Sequence, residues 1–315
     1  MSHCATPSPG VPVMWMILRI AGALSLFLLL LACASHVANS GRAPLPARPS
    51  DTVRVASHNV HYIVLGRAEG PWSVGDWERR RGAMDAAFKA LDADLVAFQE
   101  MESFQRGDEG SVNLARDWLL DQNPGYAAAA SGDARVFPST QPILYRTDRL
   151  RLVDQGWFFF SDTPDVIYSR TFNGSFPAFA SWATFAAPGG EAFTVVNVHF
   201  DYGSRSNRLK SAALVAERFR PRIAAGERVV LVGDLNALYG STTMGLLEGA
   251  GLTFARVPGA TFHFNRGINL YGAIDHLGVG PGVAVTGGPA VLRQQFGGVW
   301  PSDHYPVVAD IRVGS

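Results

Sequence analysis

Arg228-Val229-Val230-Leu231-Val232-Gly233-Asp234-Leu235-Asn236 is a short β-branched run that stops at a glycine and then presents an acid and an amide. A run of this length, rich in Val and closed by Gly, reads as a buried strand. Side chains placed directly after such a strand are held by a rigid scaffold, where reactive groups are usefully presented. The same pattern recurs along the chain. Val53-Arg54-Val55-Ala56-Ser57 alternates and runs into Asn59. Leu95-Val96-Ala97-Phe98 ends at Gln99-Glu100, and residues 192–200 carry His199 just ahead of Asp201. Ile274-Asp275-His276 opens the strand at 274–279, and Ser302-Asp303-His304-Tyr305-Pro306 precedes the strand at 307–313.

The intervening segments read in two ways. Residues 77–91 place Met84, Ala87, Phe88 and Leu91 at helical spacing, with Arg79, Arg80, Arg81 and Lys89 on other faces. Residues 113–120 and 207–220 also read as helices. Residues 142–145, 156–160 and 179–186 read as strands, with a turn at Gly189-Gly190 before residue 192. The aromatic run from Trp157 to Phe160 sits in a strand setting, so core is the better reading than membrane insertion. The order is strand–helix–strand, then mostly strands, then strand–helix–strand. That order implies an α/β (α+β) fold of two packed sheets with helices outside. No internal repeat and no second domain is visible.

The chain has 315 residues, with 27 basic and 27 acidic side chains and a pI of about 7.1. A dedicated duplex-binding protein usually carries a basic face and an elevated pI, so the balance argues mildly against duplex DNA. The only cysteines are Cys4 and Cys33, so residues 51–315 have no disulfide, no thiol nucleophile and no Cys-based zinc site. Near the N-terminus Arg19 precedes an apolar stretch ending at small residues, the shape of a secretory signal. The run after Arg19 is about fourteen residues, and a membrane span needs roughly 20. Leu30-Leu31-Ala32-Cys33 resembles a bacterial lipoprotein processing site, with Cys33 as the lipidated first residue; plain cleavage after Ala34 is the alternative. Residues 1–33 are therefore expected as a signal, 34–50 as a linker without periodicity, and 51–315 as the catalytic domain. The protein is expected in the cell envelope or secreted, and as a monomer.

The strand ends bring together carboxylates, amides and imidazoles. A hard cation such as Mg²⁺ prefers oxygen ligands, and an Asp beside a His fixes the tautomer and charge of the ring. Taken singly, Asn59 reads equally as turn chemistry, Glu100 as a strand terminus, and Asp234 with Asn236 as a turn pair. Taken with His199, Asp201, Asp275, Asp303 and His304, the bland reading needs many polar groups beside apolar strands to be satisfied by chance.

These fragments, in this order over residues 53–313, resemble the endonuclease/exonuclease/phosphatase superfamily, the DNase I-like fold. They are Ala-Ser-His-Asn-Val at Asn59, Ala-Phe-Gln-Glu-Met at Glu100, Asn-Val-His-Phe-Asp at His199 and Asp201, Gly-Asp-Leu-Asn-Ala at Asp234, Ile-Asp-His at Asp275 and Ser-Asp-His-Tyr-Pro-Val at His304. The resemblance implies a four-layer sandwich of two mixed β-sheets between helices, and hydrolysis of a phosphate ester with Mg²⁺ or Mn²⁺. It implies that Glu100 and Asn59 hold the metal, with Asp303 as a second ligand. Asp234 would orient or deprotonate the attacking water, and Asn236 would hold water or a phosphate oxygen. His199 and His304 would donate to the phosphate, with Asp275 keeping His304 charged. Asp201, Arg208 and His263 are the candidate substrate contacts; packing is an equal reading for His263 and an internal ion pair for Arg208, while His276 reads as structural. Where many relatives carry Arg in a Pro-Arg segment, this chain has Pro177-Ala178, so Arg170 and Arg266 are the candidates to replace that cation.

The reading is an exported Mg²⁺-dependent phosphoesterase. Its substrate class stays open among nucleic acid, a phospholipid head group and a small phosphorylated metabolite. The alternatives are a DNA or RNA nuclease, a sphingomyelinase-like phospholipid hydrolase, and a non-catalytic binding module that has kept the fold. A calcium-binding surface domain would carry Asp loops with Gly, and none is present.

Overall fold

A computed structural model of the chain describes residues 11–41, 44–49, 51–104, 112–187 and 190–314; Cys4 and the Gly189 half of the expected turn lie outside them. Helix α1 (Val11–Asn39) is followed by β1 (Val53–Asn59), β2 (Ile63–Val64), α2 (Val74–Leu91), β3 (Leu95–Gln99), β4 (Ser103–Phe104), α3 (Leu114–Gln122), β5 (Tyr126–Ala129) and β6 (Ile143–Arg146). The second half runs β7 (Arg151–Phe159), β8 (Phe179–Ala186), β9 (Ala192–His199), α4 (Arg205–Ala224), β10 (Val229–Asp234), α5 (Thr242–Glu248), β11 (Thr253–Ala255), β12 (Asp275–Val279), β13 (Val283–Val291) and β14 (Val307–Val313).

Two six-stranded mixed sheets result, ordered β13-β14-β1-β3-β6-β5 and β11-β12-β10-β9-β8-β7. Each has a parallel pair at its centre, β1 with β3 and β9 with β10, flanked by antiparallel strands. The inner faces meet through Val55, Leu95, Val195, Val230, Val232 and Ile311, all almost fully buried. Outside the first sheet, Met84, Phe88 and Leu91 of α2 and Leu119 of α3 pack on Val96 and Phe98. Outside the second, Val215 and Phe219 of α4 and Met244 and Leu247 of α5 pack on Val196, Val198 and Leu231. Burying a side chain of this size contributes roughly 1.5–3 kcal/mol. The molecule is thus the four-layer sandwich implied by the resemblance, and Phe158, Phe159 and Phe160 are core.

The two sheets are also stitched by a buried polar network close to the strand ends. Gln99 donates to Asn197 Oδ1 at 2.7 Å, and Asn197 donates to the Phe98 carbonyl at 2.7 Å. Ser181 Oγ donates to the Gln141 carbonyl, and Gln141 to that of Phe179. Asn197→Leu removes the partner of Gln99 inside the buried interface. It is expected to lower stability by about 1–3 kcal/mol, read from the midpoint of a urea melt. A midpoint equal to wild type would mean the network contributes nothing.

Three expectations change here. Arg80, placed by periodicity off the apolar face of α2, is nonetheless buried, with its guanidinium on the carbonyls of Val60, His61 and Pro301. The apolar N-terminal segment is longer than the run after Arg19: Met14–Asn39 is one helix of 26 residues, long and apolar enough to cross a membrane, as a signal sequence also can be. Of the segment 34–50, expected as a linker, the described residues His36, Asn39, Ser40 and Pro46 are hydrogen-bonded to the domain. Asn269 donates to His36 Nδ1 and Ser40 Oγ, Ala260 to the Asn39 carbonyl, and Arg54 to the Pro46 carbonyl. A sequence without periodicity can still be fixed when its carbonyls meet donors of another segment.

Candidate active site

The central strands end together. β1 delivers Asn59, β3 leads into Glu100, β9 ends at His199 and β10 at Asp234. The parallel registers set His199 beside Asp234, and the antiparallel register sets Asp275 opposite Asp234. Gly233 has φ 139°, and a Cβ there would collide with the Val198 carbonyl, so only glycine lets β10 approach β9 at this point. His61, Glu100 and Asn236 all have positive φ, at 62°, 54° and 46°. Such backbone strain in non-glycine residues costs of order 1–3 kcal/mol each and gathers at functional sites.

Asn59 is the hub. Its amide donates to Glu100 Oε1 at 3.0 Å and to Asp234 Oδ2 at 3.2 Å. His199 Nε2 lies 3.7 Å from Asp234 Oδ2 and 3.8 Å from Glu100 Oε1. On the other side, His304 Nδ1 donates to Asp275 Oδ2 at 2.9 Å, and its Nε2 faces Asp234 Oδ2 at 3.8 Å. Asp234 and Asp275 are buried, as is His304, whereas Glu100 reaches solvent with 23% of its side chain exposed. Space for water therefore lies on the Glu100 side.

The electrostatics follow from burial and neighbours. Burial, and then the Asp275 carboxylate, push Asp234 up to about 6, with His304 and His199 pulling the other way. Burial opposes a charge on His304, but Asp275, Asp234 and Asp303 together outweigh it and raise the ring to about 10. Asp275 is held below the usual carboxylate range: burial works against this, and the charge and hydrogen bond of His304 prevail. At neutral pH the cluster thus contains an imidazolium between two carboxylates.

Asn236, Asp303 and His263 stand around this cluster. The Asn236 backbone N–H donates to Asp234 Oδ1 at 2.8 Å, while its side-chain amide donates to the Phe200 carbonyl. Asp303 lies 4.0 Å from His61 Nδ1, and Ser302 Oγ donates to the Asn59 carbonyl at 2.7 Å while lying 3.2 Å from the Asp303 carboxylate. His263 is fully buried, stacked on Tyr305 with ring centroids 4.0 Å apart, and burial lowers it to about 4. His276 donates to the Ala237 carbonyl and is buried, as expected of a structural residue.

Asp201 and Arg208 are not brought into the cluster. The Asp201 carboxylate accepts from the backbone of Gly203 and Ser204 and from Asn207, bracing the entry to α4. Arg208 donates to the carbonyls of Asp201 and Tyr202. Arg170 is bound to the Gly174 carbonyl, whereas Arg266 lines a groove beside Asp303. Sequence reasoning overlooked His61. It is buried beside Asp303 with neither ring nitrogen hydrogen-bonded among the described residues. It also overlooked Arg80, which ties the His61 loop to the Asp303 loop through their carbonyls.

Oxygen donors beside solvent, an imidazolium held by a carboxylate and a second acid of raised pKa thus meet where the central strands end. The chain belongs to the Endonuclease/Exonuclease/phosphatase family, whose model matches residues 56–304. Among solved structures, the mannosyl-6-phosphatase of Bacteroides thetaiotaomicron VPI-5482 is 25% identical with a TM-score of 0.66, covering 82% of this chain and 99% of that one. A functionally unknown conserved protein of Enterococcus faecalis V583, 24% identical with a TM-score of 0.65, shares the fold over 84% of this chain and 100% of its own. An uncharacterized protein of Acanthamoeba polyphaga mimivirus is 27% identical over 169 residues, which are 52% of this chain and 60% of that protein. The chain thus spans less than two thirds of that relative's length.

Proposed function

We propose that the protein is an exported, divalent-cation-dependent phosphoesterase that hydrolyses a phosphodiester or phosphomonoester by attack of water. The observation that carries this reading is His304 held between two carboxylates, its Nε2 3.8 Å from Asp234 and its Nδ1 2.9 Å from Asp275. The Bacteroides relative's name makes a sugar phosphate one candidate substrate, beside nucleic acid and a phospholipid head group. Export rests on the apolar N-terminal helix, and a lipid anchor on Cys33, which is exposed.

The residues present fit a hard cation. Glu100 and Asp234 offer carboxylate oxygens on either side of the Asn59 amide, whose nitrogen donates to both while its Oδ1 accepts from the His61 N–H, and Glu100 faces solvent from which waters complete a coordination shell. Glu100 and Asn59 would hold Mg²⁺ or Mn²⁺, with Asp303 the second carboxylate. The group Asp234, Asp275 and His304 is also compact enough for an ion. An imidazolium has no free lone pair, however, so His304 at neutral pH serves as a donor to phosphate and not as a ligand. A bound cation supplies neutralisation of charge on the phosphate oxygens.

The protein's own groups do the rest. Asp234, ionised above about pH 6, takes a proton from the attacking water. The water oxygen bonds to phosphorus as the ester P–O bond breaks. His304 donates its Nε2–H to a phosphate oxygen while Asp275 fixes the ring through Nδ1. His199, on the far side of Asp234, is placed to donate to another. Such donors act where charge develops in the transition state.

Glu100→Gln keeps the size and removes the charge. It is expected to raise the Mg²⁺ concentration needed for half-maximal activity by about 10-fold or more, the order seen when a metal site loses a supporting group. Titration of activity with Mg²⁺ after chelation checks it. An unchanged activation curve would remove Glu100 from the metal site.

A further inference from the structure

A groove of about 620 Å³ opens beside the site. His61 and Asp303 lie at its catalytic end, and Trp72, Phe264, Ile268 and Leu270 form its walls. These four apolar side chains are 37–41% exposed. Trp72 and Phe264 are presented outward on strained backbone, with φ of 60° and 57°. Arg266 contributes a cation to the same groove.

The wall of this groove is also where the N-terminal helix is docked. Ser35 Oγ donates to the Leu270 carbonyl, and Asn269 donates from its backbone to His36 and from its side chain to Ser40. Ala260 fixes the Asn39 carbonyl and Arg293 the Gly41 carbonyl. The apolar part of α1 ends at Leu31, four residues or about 6 Å of helix from Ser35. The large apolar side chains of α1 from Met14 to Leu31 are all at least half exposed, so they need a membrane around them. Cys33 lies closer still, two residues from Ser35. With α1 retained, or with a lipid on Cys33 in its place, the bilayer surface lies about one helical turn from Leu270; cleavage after Ala34 would leave neither.

We infer that the rim formed by Trp72, Phe264, Ile268 and Leu270 rests on the membrane. The docked segment 35–41 acts as a strut that fixes the mouth of the site against the bilayer. The substrate, on the phosphoesterase reading above, is then a phosphodiester carried by a membrane lipid. Its apolar portion passes along the groove, and its phosphate reaches Asp303, His61 and the Asp234–His304 cluster. Hydrolysis adds water across the ester P–O bond, and the departing alcohol takes up a proton. Apolar faces that bind in this manner settle about 5–10 Å into the boundary between head groups and acyl chains.

The test uses the full chain with Cys4→Ser and Cys33→Ser, reconstituted in phosphatidylcholine vesicles. An environment-sensitive fluorophore is attached at Ile268→Cys, or at Asp148→Cys near the opposite ends of the strands, and nitroxide-bearing lipid is the quencher. Loss of most of the fluorescence at 268 with none at 148 is expected, and His36→Ala should weaken the quenching by loosening the strut. Equal and weak quenching at both positions overturns the inference. Hydrolysis is assayed in parallel on the vesicle lipid and on soluble bis(p-nitrophenyl) phosphate. Turnover of the soluble diester without quenching at 268 sinks the membrane rim and leaves the phosphoesterase. Quenching at 268 with turnover of the soluble diester but not of the vesicle lipid overturns the lipid substrate and leaves the phosphoesterase.

Discussion

Asp234→Asn is expected to lower kcat by about 10²–10⁴-fold, the usual loss when a general base is removed, and at the same time to raise Tm. The two effects have one origin. Asp234 is buried opposite Asp275, and burial with that like charge pushes it up to about 6. A carboxylate whose folded pKa exceeds its unfolded value favours folding while protonated. That benefit fades as pH rises past its unfolded value and is gone above the folded one, so at pH 7 the ionised group strains the fold. Asparagine removes that charge and leaves the strand intact. Activity assays and thermal melts on one preparation check both signs. A variant that is slower but also less stable would mean that Asp234 holds the fold together and is not a strained base. In wild type, activity should fall as pH drops through about 6, where Asp234 takes up a proton, and again near 10, where His304 loses one. A cation bound beside Asp234 moves the acid limb lower.

His304→Ala should cost at least as much in kcat but move Tm the other way. The imidazolium sits 2.9 Å from Asp275 and 3.8 Å from Asp234. Its folded pKa is raised to about 10, so its contribution to stability is complete below about pH 6.5 and is lost as pH rises through 10. Removing it leaves two buried carboxylates face to face. Breaking a buried ion pair on one side typically costs about 3–5 kcal/mol. The acid limb of any residual activity should also move upward, because His304 is one of the charges that holds Asp234 down. The double variant should lose much less than the product of the single losses, since both groups act in one transition state. Asp275→Asn should cost less kcat than His304→Ala, because Asp275 only orients and charges the ring. Equal Tm shifts of the same sign for Asp234→Asn and His304→Ala would break this electrostatic picture.

Much of the fold is legible because the polar ends of its central strands are so regular. An apolar run that stops at Asn59, Glu100, His199 or Asp234 marks a buried strand and its exit in one stroke. Besides the short β2, β4 and β11, the strands that escape notice are β5, whose Tyr-Ala-Ala-Ala has weak strand preference, and β13, interrupted by Gly287-Gly288-Pro289; these last two are the longer ones. Both are edges of the first sheet, where such residues are tolerated. Asp201 carries a readable signal of its true setting. An Asp two and three residues ahead of Gly203 and Ser204 suits a turn closed by its own carboxylate, with Ser204 capping α4. The Gln99–Asn197 contact and the burial of Arg80 are different. They depend on how two sheets and distant loops meet, which no local pattern encodes. His61 is hidden for the same reason, since its neighbour Asp303 is far away in the chain. The docking of residues 35–41 depends on donors from residues 260, 269 and 293, equally remote in sequence.

The most direct measurement is product release by the purified chain from a panel of phosphodiesters and phosphomonoesters, with Mg²⁺ or Mn²⁺ and then in excess EDTA, wild type beside Asp234→Asn. Turnover that needs the cation, vanishes in EDTA, returns on re-addition and falls by about 10²-fold or more in Asp234→Asn is the predicted result. Full turnover in EDTA, or equal turnover by the two proteins, would contradict it.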